Sequence, residues 1–581
     1  MTTTPARRDH SPGETWAGAA RDTVVSWREM FDRRTAGRDV LAGITTAMVA
    51  LPLNVALALA CGLPPAVGLV TGAVTGALSA LLGGARLQVT GPEVALAPLT
   101  FAIIAEHGLP GLLAATFLAG LLQIALGVLR VGRFVQAVPA PVIGGFMAAV
   151  GLLVFNSQVP RLLGLPADVR VLSGVRDLSV LAPSGPGTLA IGAAAITALL
   201  VLPKVHKRIP APLVAMGVGV VAVLLGVATP VLSPITSIAP SFGLPHLEAE
   251  KLSTLIPDAL ALALLASLDS LLCAAGMDAR TGGPRVRTDQ ELVAQGLANM
   301  ASACVGGMPV AAAIVRSAAA HDAGARTRLA PLVQSVVLAL VLVLLAPFLP
   351  LVPIAALAGI LLVVGYRLID WRTLFKAYAA SRAEALIFVA TAVAILATDF
   401  VTGVGIGILL AVVDFARRNS RIQVSTRVAE LSASDEGAPG PSGEPTPVRV
   451  IRLEGTLFFG SHAGVDQVLA AADGAPAVVV DLAGVRHADL TGILSLARVV
   501  ARLAERGSSV WICGASAALR PLIDAAGLAA RVVADETDAL PSRSRPLPAS
   551  VRAQQRPDTA RPRGAQAPRP ALGPRLQPSL D

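Results

Sequence analysis

Two short stretches of the chain place glycine and proline at matching positions between long apolar segments. The first runs from Gly83 to Pro92 (GGARLQVTGP), and the second runs from Gly306 to Pro309 (GGMP). A helix that begins directly after such a break presents unpaired N–H groups and about half a positive charge at its first turn. Two such helix ends that face each other would form an anion site inside a membrane. A single break is more typical of a packing glycine and a kink, whereas the matched pair favours the anion site.

Three ionisable residues lie near these breaks or inside apolar segments, where a charge at the bilayer centre costs roughly 2.5–3.5 kcal/mol or more. Arg316 follows the second break by about two helical turns and would add a permanent positive charge, unless it forms a structural ion pair. An ionised Glu93, directly after Pro92, would occupy the field that an anion needs, so its protonation would couple proton and anion movement. The alternative for Glu93 is a simple helix cap. Asp269, inside ALLASLDSLLCAAG, would bind a cation, take up a proton or pair with Arg316.

The composition of the chain is typical of an integral membrane protein. Of its 581 residues, 54% are hydrophobic and 15% are charged, against roughly 25% charged residues in soluble globular proteins. This deficit excludes a soluble enzyme of this length, and we expect no enzymatic activity and no cofactor. Four cysteines show no paired spacing, so neither a disulfide framework nor a metal site is expected. The net charge of +9 is spread between apolar segments and both termini, which indicates membrane topology rather than nucleic-acid binding.

Membrane-spanning segments fill the chain almost continuously from Asp39 to Arg417, because a spanning helix needs roughly 17–25 mostly apolar residues. We predict about fourteen spans, near 41–60, 66–82, 92–105, 109–129, 137–156, 188–203, 211–229, 254–276, 288–304, 309–320, 329–346, 352–366, 383–398 and 403–416. Lys and Arg accumulate in every second loop from Arg86 onward, which places both termini in the cytoplasm. The main exception is the long loop after the fifth span. The halves 39–230 and 253–418 each hold seven spans and are therefore oppositely oriented, as in inverted-repeat transporters.

A soluble domain follows the membrane region. We predict a cytoplasmic N-terminal segment (1–38), a transmembrane transporter domain (39–418) and a linker (419–446). The soluble domain (447–540) and a disordered basic, Pro-rich tail (541–581) follow. The soluble domain alternates predicted strands with helices, which is typical of a small α/β sandwich. The predicted strands are VRVIRLEG, TLFFG, Ala477–Leu482 and Ser509–Cys513, and the predicted helices lie near 463–472, Thr491–Arg506 and Ala515–Ala526.

Asp489 and Thr491 lie at the turn into the long helix of the soluble domain. Thr491 is a candidate phosphorylation target, which would make this turn a regulatory site. The sequence favours the alternative that both residues only cap the helix, because oxygen atoms of Asp and Thr accept hydrogen bonds from N–H groups of the first helical turn.

The motifs around these residues resemble those of the SulP family of anion permeases, the sulfate-permease type. The first span resembles that family's opening signature through Asp39–Gly43, ALP at 50–52 and GLPP at 62–65. The third span starts with the similar TGP at 90–92. The tenth combines GGMP at 306–309 with Arg316, Ser317 and GART at 324–327. The resemblance covers residues 39–535, and the soluble domain is similar to a STAS domain, the usual partner of this membrane domain.

The resemblance implies a fourteen-span, seven-plus-seven inverted repeat in which a core bundle moves against a gate bundle, commonly within a dimer. It also implies anion binding between spans three and ten, with spans one and eight lining the site. By position, the residues that would line or flank the anion are Leu53, Thr90, Gly91, Glu93, Val310, Ala311 and Arg316, and those for a coupling ion are Glu93 and Asp269.

The chain departs from the family's pattern at three positions. Many relatives have Gln where this chain has Leu53, and several have a small or neutral residue where it has Glu93. In sodium-coupled bicarbonate relatives, the acid of span eight is followed four residues later by Thr, which is Cys273 here. Loss of this hydroxyl ligand weakens a sodium site, so the sequence favours a proton as the coupling ion.

The predicted function is secondary active transport of a small inorganic anion, such as sulfate, bicarbonate or a similar oxyanion, by alternating access with possible proton symport. Two alternatives stay open. One is an anion channel or exchanger for chloride, bicarbonate or a dicarboxylate on the same scaffold. The other is a membrane-tethered signalling protein that acts through its STAS domain. We expect a multi-pass homodimer in the lipid bilayer of the cell membrane, with a proton or sodium as coupling ion and no nucleic-acid partner.

Overall fold

The computed structural model of the chain divides into two compact units, with the boundary between Val413 and Asp414. It describes residues 16–132, 138–165, 171, 185–206, 209–233, 243–245, 252–281, 286–369, 371–420, 422–431, 446–472 and 474–533. The predicted disordered tail at 541–581 lies outside the described residues, as do residues 432–445 of the predicted linker.

The first unit consists of helices and one short two-stranded sheet. Its helices in the first half are α1 (Trp16–Glu29), α2 (Arg33–Ala60), α3 (Pro65–Leu82), α4 (Ala97–Val128), α5 (Ala140–Leu162), α6 (Pro186–Val205) and α7 (Ala211–Leu224). The later helices are α8 (Leu252–Thr281), α9 (Thr288–Cys304), α10 (Ile314–Asp322), α11 (Leu329–Leu345), α12 (Ile354–Leu368), α13 (Trp371–Ala380), α14 (Arg382–Ala397) and α15 (Phe400–Asn419), which continues into the second unit. The two strands are β1 (Thr90–Pro92) and β2 (Val310–Ala312).

Many of these helices have the length and apolar character of membrane spans. Within the described part of the chain, seven are long and apolar enough to cross a membrane: α2, α3, α4 with the turn before it, α5, α6, α8 and α15. The helices α7, α11 and α12 are shorter but also apolar. The chain is therefore a polytopic α-helical membrane protein, as its sequence predicts. Every predicted span overlaps a described helix, while the count of fourteen crossings and the inverted repeat stay predictions.

The two Gly/Pro breaks fold differently from the predicted helix starts at 92 and 309. Strand β1 pairs with β2 in antiparallel register, with Gly91 opposite Ala311. The α-helices therefore begin later, at Ala97 and Ile314. Residues 90–92 and 310–312 pair as strands, and a 3₁₀ turn, Val94–Leu96, precedes Ala97. The third and fourth predicted spans form one kinked helix, α4, whose bend is at Gly108 (φ 67°).

Close helix packing in the first unit depends on small residues. A β-carbon added at Gly120 of α4 would lie 2.5 Å from the carbonyl oxygen of Gly296 in α9. The reverse contact, from Gly296 to the Gly120 carbonyl, is also 2.5 Å. Such mutual approach is typical of membrane helices, whose interfaces are enriched in glycine and other small residues.

The second unit contains a four-stranded sheet with helices packed on it. Its strands β3 (Gln423–Leu431), β4 (Thr446–Leu457), β5 (Ala477–Ala488) and β6 (Ser509–Cys513) lie in the order β3-β4-β5-β6. Its helices are α16 (His462–Ala472), α17 (Leu490–Glu505) and α18 (Arg520–Ala525). Strand β3 pairs antiparallel with β4, and the other pairs are parallel. This arrangement confirms the predicted small α/β domain.

Two strands of this sheet differ from the prediction. Strand β3 lies within the predicted linker, although the spacing of Ile422, Val424 and Val428 already alternates as in a strand. The segment TLFFG is not a separate strand, because β4 continues through Leu457. Register shifts on either side of Gly455 (φ 128°) bend β4 while it keeps pairing with β5.

Candidate functional site

The β1–β2 pair brings the two Gly/Pro breaks together inside the first unit. Thr90 lies opposite Ala312 and Pro92 lies opposite Val310, and the backbone N–H of Ala313 donates to the carbonyl of Val89 at 2.9 Å. A single 3₁₀ turn, Val94–Leu96, leads from β1 into α4, and α10 starts directly after Ala313. Because the strands run antiparallel, the two helical segments begin at opposite ends of this pair, in the region where the sequence predicts the anion site.

Arg316 projects from the first turn of α10 into this region and is only 2% exposed. Its Nη2 lies 3.1 Å from Oε2 of Glu93 and also donates to the carbonyl oxygen of Pro92. Its Nη1 donates to Oδ1 of Asn54 in α2 at 3.0 Å. The ion-pair partner of Arg316 is therefore Glu93, and the opposite charges of these two side chains cancel.

Glycine at two positions makes room for this arrangement. A β-carbon at Gly91 would lie 2.6 Å from Nη1 of Arg316. A β-carbon at Gly72 of α3 would lie 2.2 Å from Nδ2 of Asn54. Asn54 is therefore held between α3 and the guanidinium that it binds. Asn54 is not among the site residues predicted from the sequence, although an amide in the apolar run ALPLNVALALA is the kind of residue that needs a partner in a membrane.

Asp269 lies on α8, and two nearby residues of this helix form hydrogen bonds to β2 and α10. Its carboxyl group is buried, at 4% exposure, and Oδ2 has no hydrogen-bond partner among the described residues. Ser270 accepts a hydrogen bond from the N–H of Ala312 at 3.1 Å, and Cys273 donates to the hydroxyl of Ser317 at 3.4 Å. Asp269 is thus a buried acid with a free oxygen atom, on a helix that is anchored to β2 and α10.

Polar side chains on one face of α9 form a stripe that hydrogen-bonds to both β1 and β2. Asn299 accepts from the N–H of Val310 at 2.8 Å and donates to its carbonyl at 3.1 Å. Gln295 donates to the hydroxyl of Thr90 at 2.7 Å and to Glu291 at 2.8 Å. These three residues are not among the site residues predicted from the sequence, although the spacing of four between Glu291, Gln295 and Asn299 places them on one helix face.

The other residues predicted to surround the anion are buried. Leu53, Thr90, Val310 and Ala311 are all among the buried side chains, and Gly91 is also buried. Of these residues, Gly91 lies directly against Arg316, and Thr90, Val310 and Ala311 belong to the β1–β2 pair.

A cavity of about 110 Å³ lies between α2, α4, α5 and α12. Its lining includes Leu57, one turn after Leu53, and Ala97, four residues after Glu93. Three consecutive residues of α5, Asn156–Gln158, supply its polar side chains. Two of the lining residues thus lie four positions along the chain from predicted site residues.

Asp489 and Thr491 have different roles at the start of α17. Asp489 caps the helix, because its Oδ1 accepts from the N–H of Gly492 at 2.7 Å. Its Oδ2 accepts from the N–H of Phe459 at 3.1 Å, which ties the end of β4 to the helix. Thr491 is exposed. Capping thus accounts for Asp489, and phosphorylation of Thr491 stays a prediction.

Comparisons with known families and sequences agree with this architecture. The profile of the sulfate permease family matches residues 37–391, and the profile described as Mlab, STAS domain matches residues 445–534. The chain is 32% identical over 506 residues to the putative sulfate transporter YvdB of Bacillus subtilis, a match that covers 84% of this chain and 94% of that protein. It is 28% identical over 523 residues to the bicarbonate transporter BicA of Picosynechococcus, with 86% and 92% covered.

Two solved structures resemble the fold. The murine Slc26a9 anion transporter in the inward-facing state aligns with a TM-score of 0.78 at 18% identity, over 92% of this chain and 96% of that chain. The transmembrane domain of a cyanobacterial BicA aligns with a TM-score of 0.58 at 28% identity, over 66% of this chain and 98% of that chain.

Proposed function

Since the chain belongs to the sulfate permease family, we propose that it is a secondary active transporter of a small inorganic oxyanion, such as sulfate or bicarbonate. The observation that carries this proposal is the ion pair between Arg316, in the first turn of α10, and Glu93, directly before the 3₁₀ turn that leads into α4. Arg316 is buried, and Glu93 is 16% exposed. A guanidinium and helix N-termini attract oxyanions, and Arg binds them in a defined geometry. The names of the relatives YvdB and BicA specify sulfate and bicarbonate, which supports this substrate class.

In the proposed cycle, Glu93 acts as a tethered competitor of the transported anion. While Glu93 is ionised, its carboxylate occupies Arg316 at 3.1 Å. Protonation removes this negative charge and frees the guanidinium for an oxyanion. Leu53, Thr90, Gly91, Val310 and Ala311 then form the wall around the bound anion.

Charge balance favours coupling to a proton. The Arg316–Glu93 pair is neutral, and Arg316 with a monovalent anion beside protonated Glu93 is neutral as well. Arg316 with an ionised Glu93 and an anion would carry an unpaired negative charge in a buried site, which is strongly unfavourable. Anion and proton therefore enter and leave the site together.

Asp269 supplies a second coupling position in this proposal. A divalent anion such as sulfate leaves one extra negative charge at the site after Glu93 has been protonated. The unpartnered Oδ2 of Asp269 is a buried acceptor on which a second proton can be carried. The thiol of Cys273, which donates to Ser317, offers no hydroxyl oxygen for sodium. These two observations support protons rather than sodium.

We further propose that the protein spans the cell membrane as a homodimer, with both termini in the cytoplasm. The alternation of cationic loops supports this orientation. In this proposal, residues 39–418 form two inverted repeats that contain the transport site, and residues 447–540 form the STAS domain. The core then moves against the gate by alternating access.

An uncoupled exchanger or channel for chloride, bicarbonate or a dicarboxylate is the second candidate. The small cavity beside Leu57 and Asn156–Gln158 is compatible with this candidate as an access route. The two candidates differ in their response to a proton gradient, because only the coupled transporter accumulates anion at its expense.

The test is competitive uptake in proteoliposomes, with labelled sulfate and unlabelled sulfate, bicarbonate, chloride and a dicarboxylate, with and without an inward proton gradient. The key variant is the double substitution Arg316→Gln/Glu93→Gln, which removes both charges and leaves neither partner unpaired. We expect the variant to insert and fold, and its sulfate affinity to fall at least about tenfold, equivalent to about 1.4 kcal/mol. Unchanged affinity in the folded double variant would remove Arg316 from the site. Anion flux that ignores the proton gradient in the unmodified protein would favour the exchanger or channel.

A further inference from the structure

Aromatic residues of the chain are concentrated around the short helix α13. The chain has only two Tyr and four Trp residues. Both tyrosines, Tyr366 and Tyr378, and one tryptophan, Trp371, fall within thirteen consecutive residues. Tyr and Trp are enriched at the interface between membrane and water, where their rings sit at the level of the lipid headgroups. This concentration marks the segment around α13 as different from the rest of the chain.

The aromatic side chains of α13 form one exposed stripe. Trp371, Phe375 and Tyr378 follow the spacing of a single helix face, and they are 45%, 68% and 61% exposed. Leu374, on the adjoining side, packs against the core of the first unit. The helix is thus attached through one side, while three large aromatic rings project away from the protein.

Basic side chains flank this aromatic stripe. Arg372 and Lys376 are exposed and one turn apart on α13, and the exposed Arg382 begins α14. Residues 366–382 carry four cationic residues and a single acidic one, Asp370. Long basic side chains beside aromatic rings that insert into the bilayer are typical of helices that lie along a membrane surface.

The length of α13 excludes a membrane crossing. Ten residues extend only about 15 Å, about half of the hydrocarbon thickness. The helix connects α12 with α14, both of which are apolar and packed in the first unit. A short amphipathic helix between two such segments is best accommodated along the membrane surface, with the aromatic rings at the acyl boundary and the cations among the phosphates.

We propose that α13 is a binding surface for anionic phospholipid, in which Arg372, Lys376 and Arg382 hold the headgroup phosphate and Trp371, Phe375 and Tyr378 insert at the acyl boundary. Each cation near the surface favours anionic over zwitterionic lipid by about fivefold. The proposal depends on the membrane location of the first unit and is independent of which anion is transported.

The test uses the full-length protein in nanodiscs that contain phosphatidylglycerol or phosphatidylcholine with brominated acyl chains. Bromine quenches nearby tryptophan fluorescence, and the difference between the unmodified protein and Trp371→Phe reports Trp371 alone. One mixture contains brominated phosphatidylglycerol with unlabelled phosphatidylcholine, and the other contains brominated phosphatidylcholine with unlabelled phosphatidylglycerol. We expect the first mixture to quench Trp371 at least about fivefold more efficiently than the second.

Two matched variants separate the charge effect from the aromatic effect. In Arg372→Gln/Lys376→Gln, quenching should continue, but the preference for phosphatidylglycerol should fall at least about fivefold. The control Arg33→Gln/Arg34→Gln removes two exposed cations from the start of α2 and should keep the full preference. Equal quenching by both lipids in the unmodified protein would overturn the proposal. Absence of quenching by either lipid would also overturn it, since the aromatic stripe would then be in water or covered by protein.

Discussion

Gly91 lies directly against the guanidinium of Arg316, and a β-carbon at position 91 would be 2.6 Å from Nη1. Alanine at this position would displace the guanidinium from Glu93 and Asn54. We expect Gly91→Ala to raise the KM for anion uptake about five- to tenfold, equivalent to about 1.0–1.4 kcal/mol. Initial rates of uptake in proteoliposomes over a range of anion concentrations measure this change.

The matched control is Gly217→Ala. Gly217 lies in α7, and among the described residues no atom beyond the adjacent backbone of α7 lies within 4 Å of the β-carbon that this substitution adds. Its KM should stay within about twofold of the unmodified value. A normal KM in Gly91→Ala would show that the observed contact does not position Arg316 for the anion.

The sequence predicts the location of the site better than its internal geometry. The matched Gly/Pro breaks identify the two segments that meet. Their pairing as strands, with Thr90 opposite Ala312, joins residues far apart in the chain, so no local pattern reveals it. The sequence leaves the partner of Arg316 open between acidic neighbours, because the choice of Glu93 depends on the pairing of β1 with β2. Asn54 was missed for the same reason, since its role depends on the close approach of Gly72.

Glu93→Gln should separate anion binding from proton coupling. The amide keeps the shape of the side chain but cannot carry the negative charge that competes with the anion. With one proton per monovalent anion, a gradient of one pH unit supports about tenfold accumulation, because each tenfold ratio corresponds to about 1.4 kcal/mol. We expect this accumulation in the unmodified protein and an accumulation ratio near one in Glu93→Gln. Tenfold accumulation in the variant would exclude Glu93 as the coupling residue.

Asp269→Asn should change the electrical charge that moves with sulfate. If Glu93 and Asp269 each carry a proton, sulfate uptake is electroneutral and does not respond to membrane potential. Without the second proton, each sulfate carries one net negative charge, so an inside-negative potential should inhibit uptake. Uptake at potentials set by potassium and valinomycin measures this effect. Asp278→Asn, which removes another acid from α8, is the control and should remain insensitive; an insensitive Asp269→Asn would contradict the role of Asp269.

Gly120→Ala should destabilise the first unit. The new methyl group would lie 2.5 Å from the Gly296 carbonyl and 2.9 Å from the backbone nitrogen of Met300, neither of which is a flexible side-chain end. Helices α4 and α9 would have to separate, with a loss of about 1–3 kcal/mol. Thermal unfolding in detergent should therefore occur at a lower temperature than in Gly217→Ala, where alanine in an open helix position is neutral or slightly stabilising. Equal unfolding temperatures would show that the α4–α9 contact is not limiting for stability.

Asp489→Ala should loosen the junction between β4 and α17 in the second unit. The substitution removes the acceptors for the N–H groups of Gly492 and Phe459, and loss of a helix cap costs about 1 kcal/mol. Local opening should become about fivefold more frequent, so hydrogen exchange at these two amides should accelerate by that factor. Asp466→Ala removes an exposed acid from α16 and serves as the control for the change in charge. If Asp489 caps α17, its side chain protects these two amides from exchange. Equal exchange rates in Asp489→Ala and Asp466→Ala would therefore contradict the capping role. They would favour a regulatory role for Asp489 beside the exposed Thr491.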